Sequence, residues 1–591
     1  MTAEKRGKRE QVLYSPEDVP PWYMCILLGM QHFLTCLGGT VSIPLILAPA
    51  FCLGNDNESN LVKANLMSTL FVGSGICTMI QATFGNRLPI LQGGTFSFLT
   101  PTFVLMGTAL FNVNKGSAMK YFRDVDNDGN PTIISFERVW QRRVHEVQGA
   151  IITASLVELF LGLTGLIGVV LTFISPLAIA PVITLVGLTL YVPAIEHAEV
   201  NWPIAILSFI FVTLFSQYLG KVQWSIPYIK NRKLAWTKFP VFEVFPVLLG
   251  LILAWGLCGI LTAAANNNPS MTKLNDPNHF WYQARTDIKA QVISDAPWFR
   301  FVYPFQWGAP TFSAAGTVGL LSGVFAGMLE SIGDYYAAAD IANIPPPPVH
   351  AINRGIMIEG IACVIAGALG SGNGTTTYSE NIATLRITKC ASRRMIQTAA
   401  LILFILGFFG KFTAFFTTLP EPVIGGLYFV MFGLITGVGI SNLKYCDLGS
   451  SRNVFVFGFS IFLGLALPFW SERHPNSINT GSTGLDQVIV VLMSTAPFVA
   501  GVAAILLDNT IPGTRQERGL TSWSSTTEFK DEDFQVYDIP WLRFITNISW
   551  MRYVPISPAY QPSPATWPRK ICACSQKDED EEENKANNTS L

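Results

Sequence analysis

Charge is what this sequence has least of. Only 13% of its 591 residues are Asp, Glu, Lys or Arg, against about 25% in a soluble domain. The shortage is uneven. The stretches 21–55, 64–86, 88–114, 159–195, 200–220, 244–272, 301–329, 422–443, 453–471 and 487–507 hold none. A membrane-spanning helix needs roughly 20 apolar residues. So many uncharged stretches exclude a soluble enzyme, a secreted disulfide scaffold and a nucleic-acid binder. The ten cysteines show neither metal-ligand spacing nor a disulfide framework. No cleavable leader is expected, because the first 20 residues are polar and basic and the first apolar run is too long for one. A nucleotide P-loop, a Gly-x-Ser-x-Gly elbow and a His-Glu-x-x-His motif are all missing, which disfavours ATP-driven pumping.

What is there is apolar sequence, 50% hydrophobic. Its windows predict an all-α polytopic membrane protein with fourteen transmembrane segments. These lie near 22–49, 64–84, 91–112, 148–171, 177–196, 201–219, 241–263, 314–338, 355–370, 375–390, 396–416, 422–440, 453–471 and 487–507. Pro176 and Pro181 are expected to divide the long uncharged stretch 159–195. Basic residues set the orientation. Lys5, Arg6, Lys8 and Arg9 fall on one side with Lys221–Lys238, Lys389–Arg394 and Lys444–Arg452. Both termini are then cytosolic, and the loops 113–147 and 264–313 are external. Asn57-Glu58-Ser59 offers a glycosylation sequon in the first external loop. Asp124-x-Asp126-x-Asp128-Gly129 imitates the start of an EF-hand, but Ser135 stands where the bidentate Glu belongs, so it reads as a polar turn. The acidic run Asp578–Glu583 reads as a solvated tail, and Thr589-Ser590-Leu591 could add a strand to a PDZ-type partner.

Traces of an inverted repeat join the two halves. Pro181-Val-Ile is echoed by Pro422-Val-Ile, and Gln92-Gly-Gly-Thr95-Phe-Ser-Phe98 by Gly372-Asn-Gly-Thr375-Thr-Thr-Tyr378. The second pair are polar, Gly-rich and at membrane depth, where non-helical backbone survives only if it lines a cavity or is buried. A 7+7 arrangement follows, with short strand-like segments in spans three and ten facing each other.

A charge in mid-bilayer costs several kcal/mol, so each needs a partner or a function. Glu330 and Asp334, four apart, share a helix face with Gly323 and Gly327. Such a pair can hold a cation or accept donors from a substrate; a buried structural network is the alternative. Glu380 and Asn381 follow the Gly/Thr segment on the facing element, where an acid would also suit a helix N-terminus. Gln31 and His32 lie inside span one. Glu158 and Glu359 read as structural, and Arg354 and Arg386 as pairing with acids or reaching the cytosolic interface.

Four segments carry a family resemblance: Gln31-His32-Phe33-Leu34-Thr35, Glu330-Ser-Ile-Gly-Asp334-Tyr-Tyr, Pro345-Pro-Pro-Pro-Val-His-Ala-Ile-Asn-Arg354-Gly, and Ser379-Glu380-Asn381-Ile-Ala383-Thr-Leu-Arg386-Ile-Thr388-Lys389. They resemble the nucleobase–ascorbate transporter family, over roughly residues 20–520. The vertebrate sodium-coupled branch looks most similar, and within it a sodium-dependent nucleobase transporter. Ascorbate carriers of that branch look as if they have Pro where this chain has Glu380. A carboxylate accepts from the N–H edge of a base and would repel anionic ascorbate.

The resemblance implies a sodium-coupled symporter importing uracil and related pyrimidines or purines across the plasma membrane. Glu330 would grip the base, Glu380 and the Ser379 backbone would close its other edge, and Phe96 would stack on the ring beside Thr95. Asp334 would be the sodium ligand, with His32, Gln31 and Asn381 bracing the site. It also implies a core domain (22–171 and 314–416), a gate domain (177–263 and 422–507), cytosolic tails 1–21 and 508–591, an elevator-like movement and a homodimer. Ala383 and Arg386 depart from the family signature and bear on substrate range. The rivals are a sodium-dependent L-ascorbate symporter and a non-transporting membrane receptor or scaffold.

Overall fold

The computed structural model describes residues 13–107, 122–125, 131–134, 136–230, 233–239, 241–267, 276, 279–474, 477–520, 531–540 and 548–560. The first half runs α1 (Trp22–Leu47), α2 (Asn57–Phe84), β1 (Gln92–Gly94), α3 (Leu99–Gly107), the hairpin β2 (Phe122–Val125) and β3 (Pro131–Ile134), α4 (Phe136–Thr164), α5 (Leu166–Phe173), α6 (Pro176–Leu188), α7 (Tyr191–Ala198) and α8 (Trp202–Thr213). The hairpin β4 (Trp224–Lys230) and β5 (Lys233–Phe239) leads to α9 (Val241–Val244), α10 (Pro246–Asn267) and α11 (Gln291–Asp295). The second half runs α12 (Ala314–Ile341), α13 (Val349–Leu369), β6 (Thr375–Thr377), α14 (Ser379–Thr388), α15 (Arg393–Gly407), α16 (Gly410–Thr417), α17 (Glu421–Ser441), α18 (Ser451–Arg473), α19 (Thr483–Ser494) and α20 (Ala496–Thr510).

Among the described residues nine helices are long and apolar enough to cross a bilayer, or ten if the pair Gly484–Ser494 and Ala496–Thr510, bent by 78°, is one span. Several of the other expected segments are interrupted. Those near 91–112 and 375–390 each begin as a short strand and continue as a short helix, β1 into α3 and β6 into α14. The one near 396–416 breaks at Phe408–Phe409 between α15 and α16. The expected division at two prolines is half right. Ser175 caps α6, its hydroxyl accepting from Ala178 N at 3.2 Å, and Pro176 stands in the first turn, where no N–H is needed. Pro181, in contrast, lies inside α6.

Two groups of helices emerge from the packing. In one, α2 lies against α15, α13 and α16, α4 against α13 and α12, and α1 against α15. In the other, α17 lies against α6, α7 and α8, α10 against α8, and α20 against α18 and α6. Small residues set the closeness of the first group: a methyl group on Gly360 of α13 would stand 2.5 Å from Leu159 N of α4.

Polar residues at the ends tie the chain together. Arg452 and Arg518 both reach the buried Asp508 at 2.9 Å, and Ser175 donates to it at 2.7 Å. Arg354, expected to pair with an acid or reach the cytosolic interface, donates to the carbonyls of Gly85 (2.7 Å) and Tyr537 (2.5 Å). Tyr537, buried within the expected cytosolic tail, donates to Pro345 O at 2.6 Å, so part of that tail packs on the helical body. Arg386 is exposed in the last turn of α14. The sequon residue Asn57 opens α2 and donates to Asp295 at 2.7 Å. Most of the EF-like turn, the acidic run and the C-terminal tripeptide lie outside the described residues, as does the side chain of Ala383.

Candidate functional site

The two Gly-rich segments meet. β1 and β6 pair antiparallel, with Gln92 opposite Thr377, Gly93 opposite Thr376 and Gly94 opposite Thr375. The glycines are there for space: a methyl group on Gly93 would sit 1.8 Å from the Tyr378 ring, and one on Gly94 2.7 Å from Ile43. Beyond each strand the chain turns into a helix. Thr95 caps the turn Phe96–Phe98, its hydroxyl accepting from Ser97 N at 3.1 Å. Asn373 fastens the two crossings by donating to Thr95 O at 2.8 Å. Two helical N-termini, each with a partial positive charge, therefore start beside the ribbon.

The acidic face of α12 lies against this ribbon. Asp334 accepts from Thr377 Oγ1 at 2.6 Å and from Ser379 Oγ at 2.9 Å. Glu330, one turn earlier, accepts from Ser97 Oγ at 3.3 Å. Ser331 lies between them on the helix. It donates to Glu359 at 2.6 Å and lies 2.7 Å from Thr376 Oγ1. Glu359 also accepts from Tyr335 OH at 3.0 Å. That acid, expected to be structural and without companions, is instead hydrogen-bonded into the back of the site. Glu158 is buried nearby in α4.

Glu330 and Glu380 both line a cavity of about 240 Å³, together with Thr95, Phe96, Thr376, Thr377, Tyr378, Ser379 and Thr384. Its opposite wall is apolar: Ile183 of α6, Phe245–Leu248, and Met431, Leu434, Ile435 and Val438 of α17. Phe96 meets that wall edge-on, its ring 5.9 Å from that of Phe432. Behind the ribbon Asn381 Nδ2 donates to His32 O and lies 3.0 Å from His32 Nδ1. Gln31 is buried as well, with Nε2 unpartnered, as is His32 Nε2.

The structure thus brings together Glu330, Asp334, Thr95, Phe96, Ser379 and Glu380, with His32, Gln31 and Asn381 one layer behind. Ser379 enters through its side chain as well as through its place in the wall. Sequence reasoning missed Ser97, Thr376 and Thr377, whose hydroxyls hold the two α12 acids or the helix between them. Their signal was the Thr375-Thr-Thr run. It missed the α17 wall entirely, since Met431 and Ile435 look like any other apolar helix residues. Among the described residues no cluster of three or more His, Cys, Asp or Glu side chains has metal-holding geometry, so a cation at Asp334 would be shared with hydroxyl and backbone oxygens.

A family model described as "Permease family" matches residues 24–473. Human solute carrier family 23 member 2 is 45% identical over 559 residues, covering 94% of this chain and 83% of that protein. Mouse solute carrier family 23 member 1 is 43% identical, covering 93% and 89%. Nucleobase-ascorbate transporter 1 of Arabidopsis thaliana is 32% identical, covering 88% and 93%. Among solved structures, the murine anion transporter Slc26a9 in its inward-facing state covers 81% of this chain and 68% of that chain at 12% identity, with a TM-score of 0.43. The chain belongs to the nucleobase–ascorbate transporter family, solute carrier family 23, and is a multi-pass membrane transporter rather than an enzyme.

Proposed function

We propose that the chain is a sodium-coupled symporter that imports nucleobases, uracil and related pyrimidines and purines, across the plasma membrane. The observation that carries this reading is the pair Glu330 and Glu380, two carboxylates on one small cavity whose far wall is apolar. A neutral planar ring with adjacent N–H donors fits two acceptors and an aromatic face; an anion meets repulsion from both acids.

Asp334 takes the sodium, through its carboxylate and the Ser379 and Thr377 hydroxyls that already converge on it. Binding it lowers the negative charge of the α12 face and readies the site for a neutral base. The fourteen segments form a 7+7 inverted repeat with both termini cytosolic. The strand pair β1–β6, contributed by the two halves, supports this. The group built on α1–α4 and α12–α16 is the core. It moves against the group built on α6–α10 and α17–α20, the gate, and dimerisation is through the gate.

A second reading, a sodium-dependent L-ascorbate symporter, is favoured by whole-chain similarity. The chain is 43–45% identical to the vertebrate members and 32% to the plant carrier, and the resemblance places ascorbate carriers in that vertebrate branch. On this count the comparisons back ascorbate better than a nucleobase, and the composition of the cavity is the argument on the other side.

A competition panel separates the two: uptake of labelled uracil and of labelled ascorbate, each challenged with purines, pyrimidines and ascorbate. The nucleobase reading expects uracil uptake, abolished in Glu380→Pro. Ascorbate uptake that Glu380→Pro hardly disturbs, with no uracil uptake, overturns it in favour of the second.

A further inference from the structure

The segment Trp298–Phe305 belongs to a stretch expected to be an external loop, yet its side chains are those of a membrane surface. Trp298, Phe299, Phe301 and Tyr303 are 67%, 71%, 77% and 53% exposed. The residues between them point the other way. Arg300 donates to Asn65 O, Ser68 Oγ and Thr69 Oγ1 of α2 at 3.0–3.2 Å, and Val302 is 6% exposed. From Phe299 to Tyr303 the strand-like alternation thus gives a buried face, Arg300 and Val302, anchored in protein, and an exposed aromatic face that Trp298 extends.

Depth decides what covers that face. The segment pairs with the break between α15 and α16. Arg300 N donates to Phe408 O at 2.8 Å, Gly410 N to Trp298 O at 3.2 Å, and Phe299 bridges Phe409. Phe301 and Phe299 pack on Phe408 and Phe409. Helix α15 starts at Arg393, so at about 1.5 Å per residue Phe408 stands about 23 Å above it. The hydrocarbon layer is about 30 Å thick, and tilt only lowers Phe408 further. On its outer side α15 continues the same surface with Leu401 and Ile405, 49% and 46% exposed. Lys411, just beyond the break, donates to the carbonyls of Ile293 and Ser294 (2.6 and 3.1 Å) and lies over the Trp298 ring, 5.5 Å from its centroid, so a cation sits at the Trp298 end of this face.

We propose that Trp298–Tyr303 is an interfacial anchor whose aromatic face inserts into the outer leaflet at the boundary between headgroups and acyl chains. It rests on the topology proposed above, in which α15 rises from the cytosolic side. Trp and Tyr are favoured at that boundary because an apolar body sits beside a polar tip, and Phe299 and Phe301 add apolar area on the acyl side. The backbone there has partners in the α15–α16 break, which removes the usual objection to irregular chain near lipid.

The test uses the full chain in proteoliposomes of one orientation, with the emission of Trp298 taken as the difference between wild type and Trp298→Phe. Phe301→Trp supplies a second reporter by a conservative change. The anchor predicts loss of both signals when the acyl chains carry bromine, and no loss with external iodide. Quenching by external iodide, with none by bromolipid, overturns the anchor and leaves the topology standing. Quenching by iodide trapped inside overturns the topology and the anchor with it. Insensitivity to both, with the signals changing on self-association, assigns the face to a second copy of the chain and also overturns the anchor.

Discussion

The two walls of the central cavity could hardly differ more. One is the β1–β6 ribbon with α12 and α14, carrying Glu330, Glu380 and a row of hydroxyls, two of which are held from behind by Asp334. The other is α17 with Ile183 and Phe245–Leu248, and its lining is apolar. Hydrogen bonds are directional and costly to leave unmade, so the first wall can recognise and cannot easily slide. Dispersion contacts are individually weak and non-directional, so the second wall can be left and remade at another height. The division suits a carrier in which one body holds the substrate and the other lets it pass.

Substitutions can break that comparison, beginning with the polar wall. Glu330→Gln keeps the shape and removes the accepting charge. Loss of charge-assisted hydrogen bonds is worth up to about 3 kcal/mol, roughly a hundredfold in apparent affinity, read as the KM for labelled substrate at fixed surface expression. Asp334→Asn should bring uptake in sodium down to its level in choline while surface delivery persists, since the hydroxyls of Thr377 and Ser379 retain an acceptor. Unchanged sodium activation in this variant would move the cation elsewhere. On the apolar wall, Met431→Leu conserves volume, and such exchanges cost under about 1.5 kcal/mol. KM should move less than tenfold; a loss like that of Glu330→Gln would mean that α17 recognises substrate too.

The smallest effect lies away from both walls. Hydrogen bonds from Arg285 hold Asp287 below the usual carboxylate range. Its folded value is depressed, so the pair's contribution is present above the unfolded value and fades as pH falls through the folded one. Asp287→Asn should therefore leave uptake at neutral pH unchanged, and acidification should raise hydrogen exchange around residues 285–287 in the wild type more than in the variant.

How much of this was legible in the sequence follows the same contrast. Glu330, Asp334 and Glu380 stood out because charge at membrane depth is rare and expensive. The ribbon stood out because Gly-rich polar sequence there must be buried or line a cavity. The apolar wall was silent, since in a membrane Met431 and Ile435 carry no pattern that separates a cavity wall from a lipid-facing surface. The break at Phe408–Phe409 carries no proline, only Gly407 and Gly410 on either side. It depends on the partner strand at Trp298–Arg300, more than a hundred residues earlier in the chain. The anchoring of Tyr537 is likewise long-range, its carbonyl accepting from Arg354 and its hydroxyl donating to Pro345 O, and no local signal announces it.

The central claim is that the acidic wall binds a neutral base together with sodium. The most direct measurement is initial uptake of radiolabelled uracil by the wild-type chain in sodium and in choline medium. The account predicts saturable uptake in sodium, competed by other bases and nearly absent in choline. Uptake equal in the two media contradicts the coupling, and sodium-dependent uptake of ascorbate with none of uracil contradicts the substrate.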